Sequence, residues 1–140
     1  MRHILFLFLL AIVCWQPLLA TNPVEKSPTR TITITIDADG FAYIGRDTIN
    51  IDKLAAELQQ RLWKSWLGTG KMFDSIRIIF SGEVLMGVRG SALDAIKEGQ
   101  DRALKEICIQ QYKRTYERLT SSQRRKVKKQ FPVLFQELHW

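Results

Sequence analysis

Residues 31–60 read TITITIDADGFAYIGRDTINIDKLAAELQQ, and this stretch decides the fold. Thr31, Thr33 and Thr35 alternate with Ile32, Ile34 and Ile36, the period of two of a strand with one buried face. Asp37-Ala38-Asp39-Gly40 supplies turn chemistry: carboxylates that accept from nearby backbone N–H groups, and a glycine able to take positive φ. Phe41, Tyr43 and Ile44 suit a returning strand. After a short loop, Asn50 or Asp52 can cap a helix in which Leu54, Leu58 and Leu62 recur every fourth residue. The order predicted here is strand, turn, strand, loop, capped helix.

Outward from this stretch the pattern continues. Trp63, Trp66 and Leu67 extend the helix to Gly68-Thr69-Gly70, which ends it. Two tryptophans three apart read as packing residues. Ile76-Arg77-Ile78-Ile79-Phe80 is a third strand, followed by a Ser81-Gly82-Glu83 turn and a brief apolar Val84-Leu85-Met86. Ser91 with Asp94 approximates a capping box for a second helix, with Leu93, Ala95 and Ile96 as its apolar face. The β-β-α-β-α order predicts an α+β two-layer sandwich, a small sheet with two helices on one face.

A basic helical C-terminal extension follows. Leu104, Ile107, Cys108, Tyr112, Tyr116 and Leu119 recur at three- and four-residue intervals as one apolar stripe. Thr120 or Ser121 can cap a further helix through Arg124-Arg125-Lys126-Val127-Lys128-Lys129-Gln130-Phe131. Pro132 interrupts it, and Val133, Leu134, Phe135, Leu138 and Trp140 form a final apolar patch.

At the other end, Arg2 and His3 precede an apolar run from Ile4 to Trp15, and Pro17 and Ala20 follow. A basic start, an apolar core and a small residue after a helix breaker describe an export signal. The run is shorter than the roughly 20 apolar residues of a spanning helix. Residues 1–20 therefore read as a signal peptide or an N-terminal membrane anchor, and either one leaves the positive end in the cytoplasm and exports residues 21 onward. Residues 21–30, with two prolines and no periodicity, read as a linker.

The 140-residue chain has room for one modest domain beside such a segment. Its net charge of +7 is unevenly placed: residues 31–100 carry eight Lys/Arg against nine acids, and residues 101–140 carry ten against four. The basic character belongs to the C-terminal part. Arg124, Arg125, Lys126, Lys128 and Lys129 read either as a solvated helix face or as a contact for an anionic membrane, an acidic partner or a cell-wall polymer. Export argues against nucleic acid. Cys14 and Cys108 cannot form a disulfide framework, and Cys108 reads as a small buried hydrophobe.

Catalysis finds little support. His3 and His139 lie at the two ends, so no histidine is available inside the domain as a general base. No Cys/His spacing suits a metal, and no cofactor is expected. Asp37, Asp39 and Asp47 could be imagined as an acid pair or a calcium site, but they stand where hairpins commonly carry Asp. The chain reads as a non-enzyme.

The segment Asp37-Ala38-Asp39-Gly40-Phe41-Ala42-Tyr43, followed by Ile49-Asn50-Ile51-Asp52-Lys53-Leu54, resembles the start of the periplasmic domain of the ExbD/TolR family. That family opens with a D-x-D-G-x-x-Y hairpin and a capped helix. Residues 76–87 are similar to the family's third strand and turn, and Leu93 to Gly99 to its second helix and terminating glycine. The likeness covers residues 31–99 and gives residues 100–140 the status of an extension.

The resemblance implies an inner-membrane-anchored biopolymer transport component. It would work beside ExbB- or TolQ-like subunits and a TonB-like protein, and as a homodimer. The hairpin residues Asp37, Asp39, Gly40 and Tyr43 carry the motif. The chain departs from the family in having no Asp, nor any Glu, His, Lys or Arg, between Ile4 and Ala20, which removes the group expected of a proton relay. It also has Ser81, Glu83 and Met86 where the family has Asp, Asp and an aromatic.

Overall fold

The computed structural model describes residues 29–139. The readings of residues 1–20, most of the 21–30 linker and Trp140 lie outside them. The alternating Thr/Ile run forms β1 (Thr31–Ile36), and β2 (Phe41–Ile44) returns antiparallel to it, with Thr35 opposite Tyr43 and Ile36 opposite Ala42. The predicted loop contains a further strand, β3 (Asp47–Asn50), paired antiparallel to β2 through a two-residue Gly45-Arg46 turn. Gly45 sits at φ 65°, the positive value a tight hairpin turn needs. The order is thus β-β-β-α-β-α, and the fold is the α+β one that the sequence predicts, with one strand more.

Helix α1 (Ile51–Thr69) begins on Asn50, whose side chain accepts from the Asp52 backbone N–H, and closes at Gly70. Strand β4 (Ser75–Phe80) then runs parallel to β1, giving the order β3-β2-β1-β4. Ile32, Ile34, Ile36, Ala42, Ile44 and Ile76 all point to one face of the sheet, into a core shared with Leu54, Leu58 and Leu62 of α1. Each of those leucines is fully buried, which is worth about 1.5–3 kcal/mol per side chain. Both long helices therefore lie on that face.

The second long helix, α2 (Met86–Tyr112), departs from the expectation at both ends. It starts five residues before Ser91, at Met86, and its N-cap Leu85 makes no side-chain cap bond, so the Ser91/Asp94 pair lies inside the helix. Gly99 does not terminate it. Instead Gly99 is buried where α2 crosses α1: a Cβ there would sit 2.9 Å from the Ala55 carbonyl oxygen and 3.1 Å from Leu58 Cβ. The buried stripe is Ala92, Ile96, Gly99, Ala103 and Ile107, whereas Leu93 and Ala95 are only half-buried. Small residues at the crossing let the two helices approach closely, and this contact extends one continuous helix across the 99/100 boundary.

Beyond Tyr112 the predicted single stripe breaks. Lys113 takes a left-handed conformation (φ 54°) and a 3-10 turn occupies Tyr116–Arg118. Helix α3 (Ser121–Gln130) has the complete Thr120/Gln123 capping box, and Pro132 opens a second 3-10 turn, Pro132–Phe135. This part is packed into the domain. Leu119, Val127, Phe131, Val133 and Leu134 belong to the same core, and Phe131 meets Trp66 edge-on at 6.0 Å. The Gln136 side chain binds the outer edge of β4 as a neighbouring strand would, donating to the Ile76 carbonyl (2.8 Å) and accepting from its N–H (2.7 Å). Buried Gln100 of α2 donates to the Val133 carbonyl at 2.6 Å. Cys108 is buried, and that burial pushes its thiol up.

Candidate functional site

Three surfaces carry the chemistry that the fold leaves exposed. The first is the hairpin turn. Asp37 Oδ1 accepts from the backbone N–H groups of Asp39 (3.0 Å) and Phe41 (2.9 Å), and Oδ2 accepts from the Tyr43 hydroxyl (2.7 Å). Gly40, at φ 84°, passes the chain into β2, and its carbonyl accepts from the Ile51 N–H at the start of α1. The Phe41 N–H, then the Tyr43 hydroxyl, hold the Asp37 carboxyl below its ordinary value, and the same bond raises the Tyr43 phenol.

Of the motif residues, Asp37, Gly40 and Tyr43 thus form one hydrogen-bonded unit, while Asp39 contributes its backbone. Asp47 lies on β3, ion-paired to Arg61 at 2.5 Å, so the three aspartates do not converge. Among the described residues no group of three or more His, Cys, Asp or Glu is placed to hold a metal ion.

Asp37 makes the stability of the fold depend on pH. Its carboxyl is depressed in the folded chain, so its contribution is present above the unfolded value near 3.9 and is lost as pH falls through the folded value. Asp37→Asn is expected to be less stable than the parent chain at neutral pH, with the gap closing below about pH 4. Urea midpoints at a series of pH values measure this. A gap that persists unchanged in acid would mean that the ionised carboxylate contributes nothing.

The second surface is α3. Val127 is its sole apolar residue and is fully buried, which turns the opposite side of the helix, with Arg125, Lys126 and Lys129, to solvent. Arg124 and Lys128 flank this side and lie over rings of the same domain: Arg124 over Tyr116 at 5.6 Å and Lys128 over Phe135 at 5.5 Å. Arg124 also donates to the Glu117 carbonyl. Among the described residues none of the five cations forms an ion pair, although other cations of the chain do. The predicted anion contact is therefore split. Arg124 and Lys128 anchor the helix, and Arg125, Lys126 and Lys129 are left free.

The third surface was not singled out in the sequence. The sheet face away from the helices exposes Phe41, Tyr43 and Ile79, with Thr35 between Tyr43 and Ile79 in register. Its signal was the same alternation that identified the core: residues out of phase with Ala42, Ile44 and Ile78 must face the other way. The three side chains are 37–43% exposed and lie together on that face.

No family model matches the chain, and no curated protein matches it either. None of the described helices is long and apolar enough to cross a membrane.

Proposed function

We propose that the chain is an exported, non-enzymatic component of an ExbD/TolR-type envelope energy-transduction system. In this reading residues 31–139 act outside the inner membrane as a protein-binding domain. The observation that carries the reading is the Asp37–Gly40–Tyr43 hairpin, locked by its own hydrogen bonds and feeding into an Asn50-capped helix within a β-β-β-α-β-α domain. The partners it fits are ExbB- or TolQ-like membrane subunits and a TonB-like protein, with self-association as a homodimer. The exposed Phe41/Tyr43/Ile79 face offers the apolar contact that such binding requires.

With no Asp, Glu, His, Lys or Arg between Ile4 and Ala20, the chain would assemble beside a proton channel without itself supplying the relay carboxylate. In-cell cross-linking followed by affinity purification of the full chain from solubilised membranes tests this. Recovery of ExbB- or TolQ-like subunits, reduced by Tyr43→Ala and Phe41→Ser, is expected. Recovery of the chain without any such subunit would sink the reading.

A second reading, a secreted module that recognises an anionic surface, is favoured by a separate observation. This is the exposed Arg125/Lys126/Lys129 face of α3, which forms no ion pair among the described residues.

A further inference from the structure

We propose that the free basic face of α3 rests on the anionic phospholipid headgroups of the membrane that holds the chain's own N-terminal apolar run. This rests on the reading above that the chain is exported, and it takes the apolar run as a retained anchor.

The Arg30 guanidinium is fixed to the end of α1 by the Thr69 hydroxyl (3.2 Å), the Lys71 carbonyl (3.0 Å) and the Ser65 hydroxyl (3.1 Å). Arg30 and Lys71 share a cavity of about 400 Å³ with Gln130 and Phe131. Gln130 is the last residue of α3 and Phe131 follows it. The linker thus joins the domain beside the C-terminal end of the basic helix, not at the far end of the sheet. The carboxylate lining this cavity, Asp74, accepts the Arg30 backbone N–H on Oδ2 at 2.7 Å.

Chain length then limits the distance. Residues 21–30 span at most about 33–36 Å when fully extended, and α3 is about 15 Å long. An anchor ending near Ala20 therefore keeps α3 within a short tether of the bilayer surface. The charge distribution does the orienting: residues 101–140 carry six net positive charges and residues 31–100 one net negative. An anionic leaflet attracts the first part and not the second.

The contact is ionic. The exposed side of α3 holds serines, lysines and arginines, and its one apolar residue, Val127, is buried, so nothing there can insert among acyl chains. Such a contact acts over a Debye length, about 8 Å at physiological ionic strength, and weakens with salt.

The test uses the full chain with Cys14→Ser and a fluorescent label on Ser122→Cys, an exposed position on α3; Cys108 is buried and escapes labelling. The chain is reconstituted into nanodiscs of phosphatidylcholine, with or without phosphatidylglycerol, that carry a headgroup quencher. Quenching is expected with phosphatidylglycerol only, and high salt should abolish it. Arg125→Glu/Lys126→Glu/Lys129→Glu should shift the ratio of docked to detached domain by at least about a hundredfold, from roughly fivefold per cation. That variant leaves Arg124 and Lys128 on their rings, and an unchanged circular dichroism spectrum and urea midpoint confirm that it folds.

Equal quenching in phosphatidylcholine, or quenching that survives the triple reversal, would overturn the proposal. So would loss of contact in inorganic phosphate at matched ionic strength, which would indicate a discrete phosphate site instead of a leaflet. A chain that enters nanodiscs without docking α3 sinks this inference alone, because no protein partner is present. A chain that does not enter them at all sinks the retained anchor with it.

Discussion

Gly99→Leu is expected to give no cooperatively folded protein, and Gly99→Ala to lower stability by about 1–3 kcal/mol. By intrinsic propensity alone, alanine in place of a mid-helix glycine stabilises by about 1 kcal/mol. Here the new Cβ would meet the Ala55 carbonyl oxygen at 2.9 Å, and that atom belongs to the backbone of α1 and cannot rotate aside. The helices must separate, and the leucines beneath them lose contact along Leu54, Leu58 and Leu62. Packing outweighs propensity, so the sign is negative. Urea unfolding at constant m measures it, and a Gly99→Ala chain more stable than the parent would show that α1 and α2 do not cross so closely.

Phe131→Ala is expected to cost about 3–5 kcal/mol, the range for emptying a buried aromatic site. Phe131 is 1% exposed, meets Trp66 edge-on and lies where α3 turns into the last 3-10 segment. Its loss should also change the Trp66 fluorescence and weaken the attachment of α3 and its Thr120 cap. A cost below about 1 kcal/mol would mean that residues 113–139 are a loosely attached tail. The close-packed core containing Val127, Phe131, Val133 and Leu134 predicts the larger value.

Much of this architecture is legible in the residues because the local signals are strong. The Thr/Ile alternation of β1, the Asp37–Gly40 turn, the Asn50 cap and the Leu54/Leu58/Leu62 spacing each have a short-range physical cause, and each is found where the sequence puts it. β3 escaped because Asp47-Thr48-Ile49-Asn50 has a single apolar residue, and Gly45-Arg46 is not a pairing that announces a hairpin. Helix α2 escaped at both ends for a different reason. Its start lacks a side-chain cap, and a glycine buried at a helix crossing looks, along the sequence, the same as one that ends a helix.

The candidate site divides in the same way. Asp37, Gly40 and Tyr43 are linked within seven residues, so their association is readable locally. The division of the α3 cations into ring-bound Arg124 and Lys128 and free Arg125, Lys126 and Lys129 depends on Tyr116 and Phe135, which only the tertiary fold brings alongside. The exposed Phe41/Tyr43/Ile79 row needed the β1–β4 pairing, a contact between strands more than forty residues apart. The adjacency of Arg30 and Gln130 has no sequence signal at all.

The proposed role requires the chain to be exported and held at the inner membrane with residues 31–139 on its outer side. N-terminal sequencing of the chain from separated membrane and periplasmic fractions, combined with protease treatment of spheroplasts, tests this most directly. A membrane-bound chain that retains its apolar run and whose folded domain is reached by external protease is the expected result. A soluble product beginning at Thr21, or a chain protected inside intact spheroplasts, would contradict it.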